Sequence, residues 1–469
     1  MSRFLCSALL AVLAASACDA QSPGAPLSPQ ELKARALFER LIAFKTSVGL
    51  GQVPAMAKYL ADEFRAAGFP EADIHIFPLG ETSSMVVRYR GDGSGGKPIL
   101  LMAHMDVVTA KREEWQRDPF ALVEENGFFF GRGTFDIKGG VACEVATFLR
   151  LKAEGFVPTR DLILMLTGDE ETTEDTTADL VKNHRALIDA DFALNADAGN
   201  ATLDESSGVP LFFSLGTAEK SYASFELTVS NPGGHSSLPR ADNAIYELAD
   251  ALKKVQAYRF PIMSNDTTLG YFRGIGKLTP GALGQAMQQF GANPHDQKAA
   301  ALLAESPTYV GMTRTTCVPT LLRGGHAENA LPESATATVN CRIFPGIDPL
   351  AVKATLQGIV GSKVAVATVG TPFWSNASPL REDVLAGVNK ALHVRYPGVP
   401  IVPMQEPGLS DAVFTRGIGI ATYGVGSGFI KDSDNYMHGL NERVPVQSFY
   451  DYLNFWYVLV KDLAGAPSH

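Results

Sequence analysis

Pro98-Ile99-Leu100-Leu101-Met102 runs directly into Ala103-His104-Met105-Asp106, and Asp161-Leu162-Ile163-Leu164-Met165-Leu166-Thr167 runs into Gly168-Asp169-Glu170-Glu171. Both are short apolar β-type runs that end in side chains able to hold a metal or move a proton. A third, Phe192 to Asn195, ends in Ala196-Asp197-Ala198-Gly199. Helical patterns lie between them, from about Lys138 to Glu154 and near Ala178 to Ile188. Upstream, Ser28-Pro29-Gln30-Glu31 has the Ser-x-x-Glu capping pattern with proline at the first helical position. Met56, Leu60 and Phe64 then recur at four-residue spacing before a glycine stop at Gly68. This alternation predicts an α/β fold, a mainly parallel sheet sandwiched by helices.

From about Thr217 to Thr371 the rhythm changes. Strand Ser221 to Ser230, helix Asp242 to Val255, strands near Thr315 and from Thr336 to Phe344, helix Pro349 to Ile359 and strand Val364 to Val369 read as a separate α+β lid. After Pro372 the first pattern resumes, so the lid is expected as an insertion, 217–372, in one fold made of 21–216 and 373–469. Phe260 to Tyr309 has weak periodicity and several glycines and prolines, and is expected as an elaboration of the lid.

The chain has 469 residues, 46% hydrophobic and 19% charged, which suits a folded protein with more than one core. A net charge of −10 argues against nucleic acid or an anionic membrane as the main partner. Met1-Ser2-Arg3 and the apolar run Phe4 to Ala17 have the layout of an export signal, residues 1–20, too short to span a bilayer. Cleavage after Ala20 predicts a periplasmic or secreted protein with no membrane span in the mature chain. The competing reading is lipid attachment at Cys18, against which Ala15 stands where a larger aliphatic residue is usual. Of the remaining cysteines, Cys143, Cys317 and Cys341, no disulfide framework can be made, and buried free thiols are expected in preference to a single bridge.

His104 and Asp106, at i and i+2 of an extended segment, share a face, so Asp106 can orient a metal-binding His104; a structural hydrogen bond is the ordinary alternative. In Gly131-Arg132-Gly133-Thr134-Phe135-Asp136-Ile137-Lys138-Gly139-Gly140, glycines allow close backbone approach and a short carboxylate that can bridge two cations. Otherwise Asp136 merely caps a helix. The Walker spacing of a phosphate loop is absent. Glu170 and Glu171 repel each other and, if buried, demand compensation, whereas an exposed acidic turn would not. Asp197 alone is a turn residue.

Together these residues weigh more. His104, Glu170, Glu171 and Asp197 all follow strands at their carboxyl ends, the edge where open α/β sheets bind ligands. His438, in Asn435-Tyr436-Met437-His438-Gly439, can supply a second imidazole. Two imidazoles and three carboxylates fit two divalent ions sharing Asp136, with Glu170 left as general base. Two dications against Asp136, Glu171 and Asp197 leave one positive charge, which a bridging hydroxide would neutralise.

With these motifs, and with Gly233-Gly234-His235-Ser236-Ser237 and Asn329 to Gly346, the sequence resembles the co-catalytic metallopeptidases that include aminoacylases, carnosine dipeptidases, carboxypeptidase S and succinyl-diaminopimelate desuccinylase. The resemblance implies that His104 and Asp197 hold one ion and Glu171 and His438 the other, with Asp136 between them. It further implies Glu170 as general base, Asp106 as orienter of His104, and a lid that dimerises. His235 looks like the lid histidine that stabilises the oxyanion, often in the partner's site, and Arg342 like the arginine that grips a substrate carboxylate. Asn329, Gly408 and Ser427 are further candidates for substrate contact, each as readily a turn, a bend or a loop hydroxyl. Aspartate at position 197 and Pro239 after the Gly-Gly-His-Ser-Ser stretch resemble the carboxypeptidase S and dipeptidase branch. The sequence departs from the pattern around Thr172 to Thr177.

The expected activity is cleavage of the amide bond of short peptides at a terminal residue. The alternative is hydrolysis of N-acyl amino acids, and a third reading is a binding protein that lost catalysis. Zinc is the expected metal, with cobalt or manganese tolerated by the same ligands.

Overall fold

The computed structural model describes residues 26–426 and 428–466, so the export segment, Cys18 and Ser427 lie outside the described residues. The apolar runs form the middle of a ten-stranded sheet. Strand Ile99–His104 lies between Leu162–Thr167 and Phe192–Asn195, parallel to both, and Ala421–Gly424 adds to Phe192–Asn195 in the same sense. Antiparallel strands Ile74–Leu79 and Thr82–Tyr89 complete one side.

Strand alternation divides these runs between two cores. Ile99, Leu101 and Ala103, with Leu162, Leu164 and Leu166, face a large apolar cluster under helices Pro29–Ala43, Val53–Ala66, Lys138–Ala153 and Val446–Leu463. Leu100, Met102, Ile163 and Met165 face a smaller cluster closed by Leu180 and Ile188. The first helix begins as expected. Ser28 and Glu31 form a reciprocal capping box ahead of Pro29. The helix expected near Ala178 to Ile188 is broken at His184 into Asp175–Asn183 and Arg185–Ile188.

A four-stranded antiparallel sheet stands apart, ordered Thr316–Gly324, Ser334–Ile343, Ser221–Ser230 and Val364–Val369. Helices Ala244–Ala257 and Pro349–Val360 cover one face through Leu248, Val352 and Leu356, against Phe225, Leu227 and Val339. The strand that leads into it, Pro210–Glu219, stays paired with the large sheet as far as Glu219, so the crossing falls at Lys220.

Two expectations are corrected. The stretch 260–309 holds helices Asp266–Leu278, Gly281–Ala292 and Gln297–Leu303 and leads into Pro307–Thr313, and its core includes Val402 of strand Ile401–Glu406 but no residue of the lid sheet. Beyond Phe260, which packs on the lid core, it is attached to the large sheet. Gly270 explains part of the weak periodicity: a Cβ there would come within 2.5 Å of the Pro403 ring, so close packing takes a glycine where an apolar side chain would have marked the face. Cys317 and Cys341 are joined in a disulfide, and only Cys143 remains a buried thiol among the described cysteines. They sit opposite each other on adjacent strands, a neighbourhood that register creates and spacing does not reveal.

The bridge spans 24 positions, so Cys317→Ser with Cys341→Ser should lower unfolding free energy by about 3 kcal/mol in a denaturant titration. Peptide mapping without reductant should recover the 317–341 link, and an unchanged denaturation midpoint in the double variant would contradict a stabilising role.

Candidate active site

The carboxyl ends of the parallel strands deliver the site. His104 is the last residue of its strand, level with Thr167 on the neighbouring one, and Met102 is level with Asn195. The turns beyond Thr167 and Asn195 therefore start close to the His104 ring. Asp136 arrives from the turn before helix Lys138–Ala153, where the peptide bond to Ile137 is cis. Here Gly133 is required: its φ is +87°, and a Cβ would come within 2.9 Å of Val107 and 3.0 Å of Lys138.

The two oxygens of Asp136 face different imidazoles. His104 Nε2 lies 3.1 Å from Oδ1, and His438 Nε2 lies 3.0 Å from Oδ2. His438 Nε2 is also 3.0 Å from Glu171 Oε1, while His104 Nε2 is 3.8 Å from Asp197 and 4.0 Å from Glu170. Ligand atoms of His104, Asp136 and Glu171 lie within 4.8 Å of one another, as do those of His104, Glu170 and Asp197. His438 adopts φ +60°, an uncommon backbone conformation for a residue with a side chain.

Asp106 does more than face His104. Its carboxylate accepts the backbone N–H groups of Glu170, at 3.2 Å, and Glu171, at 3.1 Å, fixing the turn that carries both acids. The nearest acceptor for His104 Nδ1 is the Asp106 carbonyl at 3.1 Å, with the Asp106 carboxylate at 3.4 Å. Both ring nitrogens thus face acceptors: against the opposing effect of burial, hydrogen bonds to Asp106, Asp136 and Asp197 hold His104 protonated well above the usual histidine range, and a cation at Nε2 would take the place of that nitrogen's proton.

The electrostatics are those of crowded acids. Burial pushes Asp197 up to about 7, with the Asp136 and Glu171 charges adding to it. Burial and the neighbouring Asp197 push Glu170 well above the usual carboxylate range. Contacts with Asp136 and Glu171 hold His438 protonated up to about 10. Imidazole nitrogens and carboxylate oxygens converging within hydrogen-bond range, with acids too crowded to ionise together, make a donor set that suits divalent cations. The residues fit a two-ion centre.

Around this point lies an open cleft of about 780 Å³. Arg342 lines it from the lid, its guanidinium 5.0 Å from the Tyr222 ring centroid, and Gly408 lines it too. His235 and Asn329 do not line it. They are exposed on a small two-stranded ladder in which His235 pairs with Ala330 and the Ser236 N–H donates to the Asn329 carbonyl. Glu174, Glu219 and Glu406, which no sequence signal marks, also line the cleft, and the equally unmarked Asp411 is buried, accepting the Thr167 and Thr177 hydroxyls. Burial raises Glu174 to about 8 and Glu406 to about 7. Glu442, equally unremarked, anchors the Asp136 turn from four positions beyond His438.

The chain is 26% identical over 389 residues to N-fatty-acyl-amino acid synthase/hydrolase PM20D1 of Xenopus tropicalis, covering 81% of this chain and 75% of that protein. It is 25% identical to the probable carboxypeptidase S-like 2 of Dictyostelium discoideum, over 93% of this chain and 86% of that one. Among solved structures, the M20 family metallo-carboxypeptidase Sso-CP2 from Sulfolobus solfataricus superposes with a TM-score of 0.68 at 18% identity, over 93% of this chain and all of that one, a likeness of fold. The model of peptidase family M20/M25/M40 matches residues 100–462, a span that holds every member of the site from His104 to His438, and the chain belongs to that family.

Proposed function

We propose that the protein is a two-ion exopeptidase that cleaves short peptides at a terminal residue. The observation that carries this reading is the shared carboxylate of Asp136, one oxygen toward His104 and the other toward His438. In this assignment His104 and Asp197 would hold one ion and Glu171 and His438 the other. Zinc suits these ligands best, and cobalt or manganese can replace it. When bound, the ions polarise the scissile carbonyl and lower the pKa of water. Glu170, buried beside Asp197 and His104, takes a proton from the attacking water and returns it to the leaving amine. Arg342 receives the substrate carboxylate in a planar fork. Gly408 in the cleft lining, Ser427 and Asn329 are further candidates for substrate contact.

Acidic lining supports the peptide reading over N-acyl amino acids. Glu174 and Glu406 line the cleft beyond the ligand set with burial holding them toward the protonated form, and a free amino terminus beside them would favour their ionisation and pair with it, which a neutral acyl chain cannot do. The alternative, N-acyl amino acid hydrolysis, draws support from the relative named for that activity.

Dimerisation through the lid would bring His235 and Asn329 to the partner's cleft. Its support is the lid's edge strand Thr316–Gly324, which exposes Val318, Leu321 and Leu322 beside Ile245 and Tyr246. Export to an oxidising compartment, with lipid attachment at Cys18 as the variant reading, accords with the Cys317–Cys341 bridge.

Glu170→Gln should keep two bound ions while lowering kcat by about a hundredfold or more. Metal content and turnover measured on one preparation check this, and full activity would reject Glu170 as the base. Glu174→Gln should lower kcat/KM for a dipeptide with a free amino terminus by about tenfold and leave its N-acetylated counterpart unchanged. Wild-type preference for the acetylated substrate would instead favour the N-acyl reading.

A further inference from the structure

The turn from Gly131 to Ile137 carries the shared carboxylate, yet it belongs to no helix or strand. Buried backbone N–H groups in such a turn must find acceptors elsewhere. Three of them find the same one. Glu442 Oε1 accepts the N–H groups of Phe135, at 2.8 Å, and Asp136, at 3.0 Å, and Oε2 accepts that of Gly133 at 3.0 Å. The Arg132 guanidinium meets Glu442 Oε2 at 2.6 Å and donates with its other arm to the carbonyls of His438, at 3.3 Å, and Gly439, at 3.1 Å. Gly131 N–H adds a bond to the Glu442 carbonyl. Glu442 is fully buried and Arg132 nearly so.

These contacts close a ring. It runs from the Asp136 turn to Glu442, along the chain to His438, and back through Arg132 into the same turn. Its two sides are more than 300 positions apart in sequence, and each carries a ligand candidate: Asp136 on one, His438 on the other. Neither Glu442 nor Arg132 is within the ligand set. For folding alone, a buried ion pair is often no better than an apolar pair of similar volume. An apolar side chain could not accept three N–H groups from the backbone that ends on Asp136.

We propose that Glu442, braced by Arg132, is a positioning residue that fixes the Asp136 turn against the His438 loop, so that the shared carboxylate stands in place before any metal arrives. The inference rests on the two-ion reading of the site. Partners of this kind behind a metal ligand change affinity by about 10- to 100-fold when altered.

The test uses the full chain, stripped of metal, with Zn2+ alone in calorimetric titration and Co2+ alone for its visible absorption. Wild type should bind two ions, and binding of none or one would overturn the two-ion reading and this inference with it. Glu442→Gln places an amide NH2 where either Arg132 and Gly133 or the Phe135 and Asp136 N–H groups need an acceptor. It should weaken the ion shared by Asp136 and His438 by about tenfold or more and change the cobalt spectrum. The double variant R132M/E442Q removes the unpaired buried charge. It should recover the thermal midpoint that Glu442→Gln loses, without recovering metal affinity. Recovery of both would show a purely structural role and overturn the proposal, as would wild-type affinity in Glu442→Gln. In metal-free wild type, which needs no variant to fold, the amides of 133–136 should exchange slowly with solvent deuterium. Fast exchange that slows only when Zn2+ is added would also overturn it.

Discussion

Crowded negative charge is the constraint on which this protein is organised. Asp136, Glu170, Glu171, Asp197, Glu174, Glu219 and Glu406 all face one cleft, and among its described lining residues Arg342 is the only lysine or arginine. Such a group cannot ionise together in a buried place without a compensating cation. The upward displacement of Asp197 and Glu170 expresses that conflict, and the imidazoles of His104 and His438 relieve part of it at Asp136. The same charge arrangement that makes the site hungry for divalent ions gives it a polar, cation-seeking wall for substrate.

The fold supplies rigidity where that charge must be held. Strands buried on both faces cannot slip by one residue without moving every side chain into the wrong core, so Ile99–His104 and Leu162–Thr167 end at fixed heights. Asp106 then ties the acidic turn to the histidine strand through the Glu170 and Glu171 N–H groups. The lid brings Arg342 over the cleft without taking part in either core of the large sheet.

Much of this was legible in the sequence because the informative signals were local. A strand followed at once by His104-Met105-Asp106 or by Asp169-Glu170-Glu171 carries its position and its chemistry in adjacent residues. The lid strand Ser221–Ser230 and the strand Val364–Val369 were legible from alternation alone. What escaped depends on contacts between distant segments. Glu442 reads as one more surface acid until the chain's return places it under Gly133, and Cys317 and Cys341 become neighbours only through strand register. The helices between 266 and 313 were obscured because glycines such as Gly270 and Gly274 lie where they meet Pro403 and Val402.

Those helices have a consequence for the protein's behaviour at high concentration. Strand Ile401–Glu406 has a single neighbour in the large sheet, so its other side would present free peptide groups to any extended chain it met. Pro403 removes one donor from that side's repertoire, and helix Asp266–Leu278 lies across the strand. In the folded protein these helices thus sheathe an edge that could otherwise add a strand from another molecule.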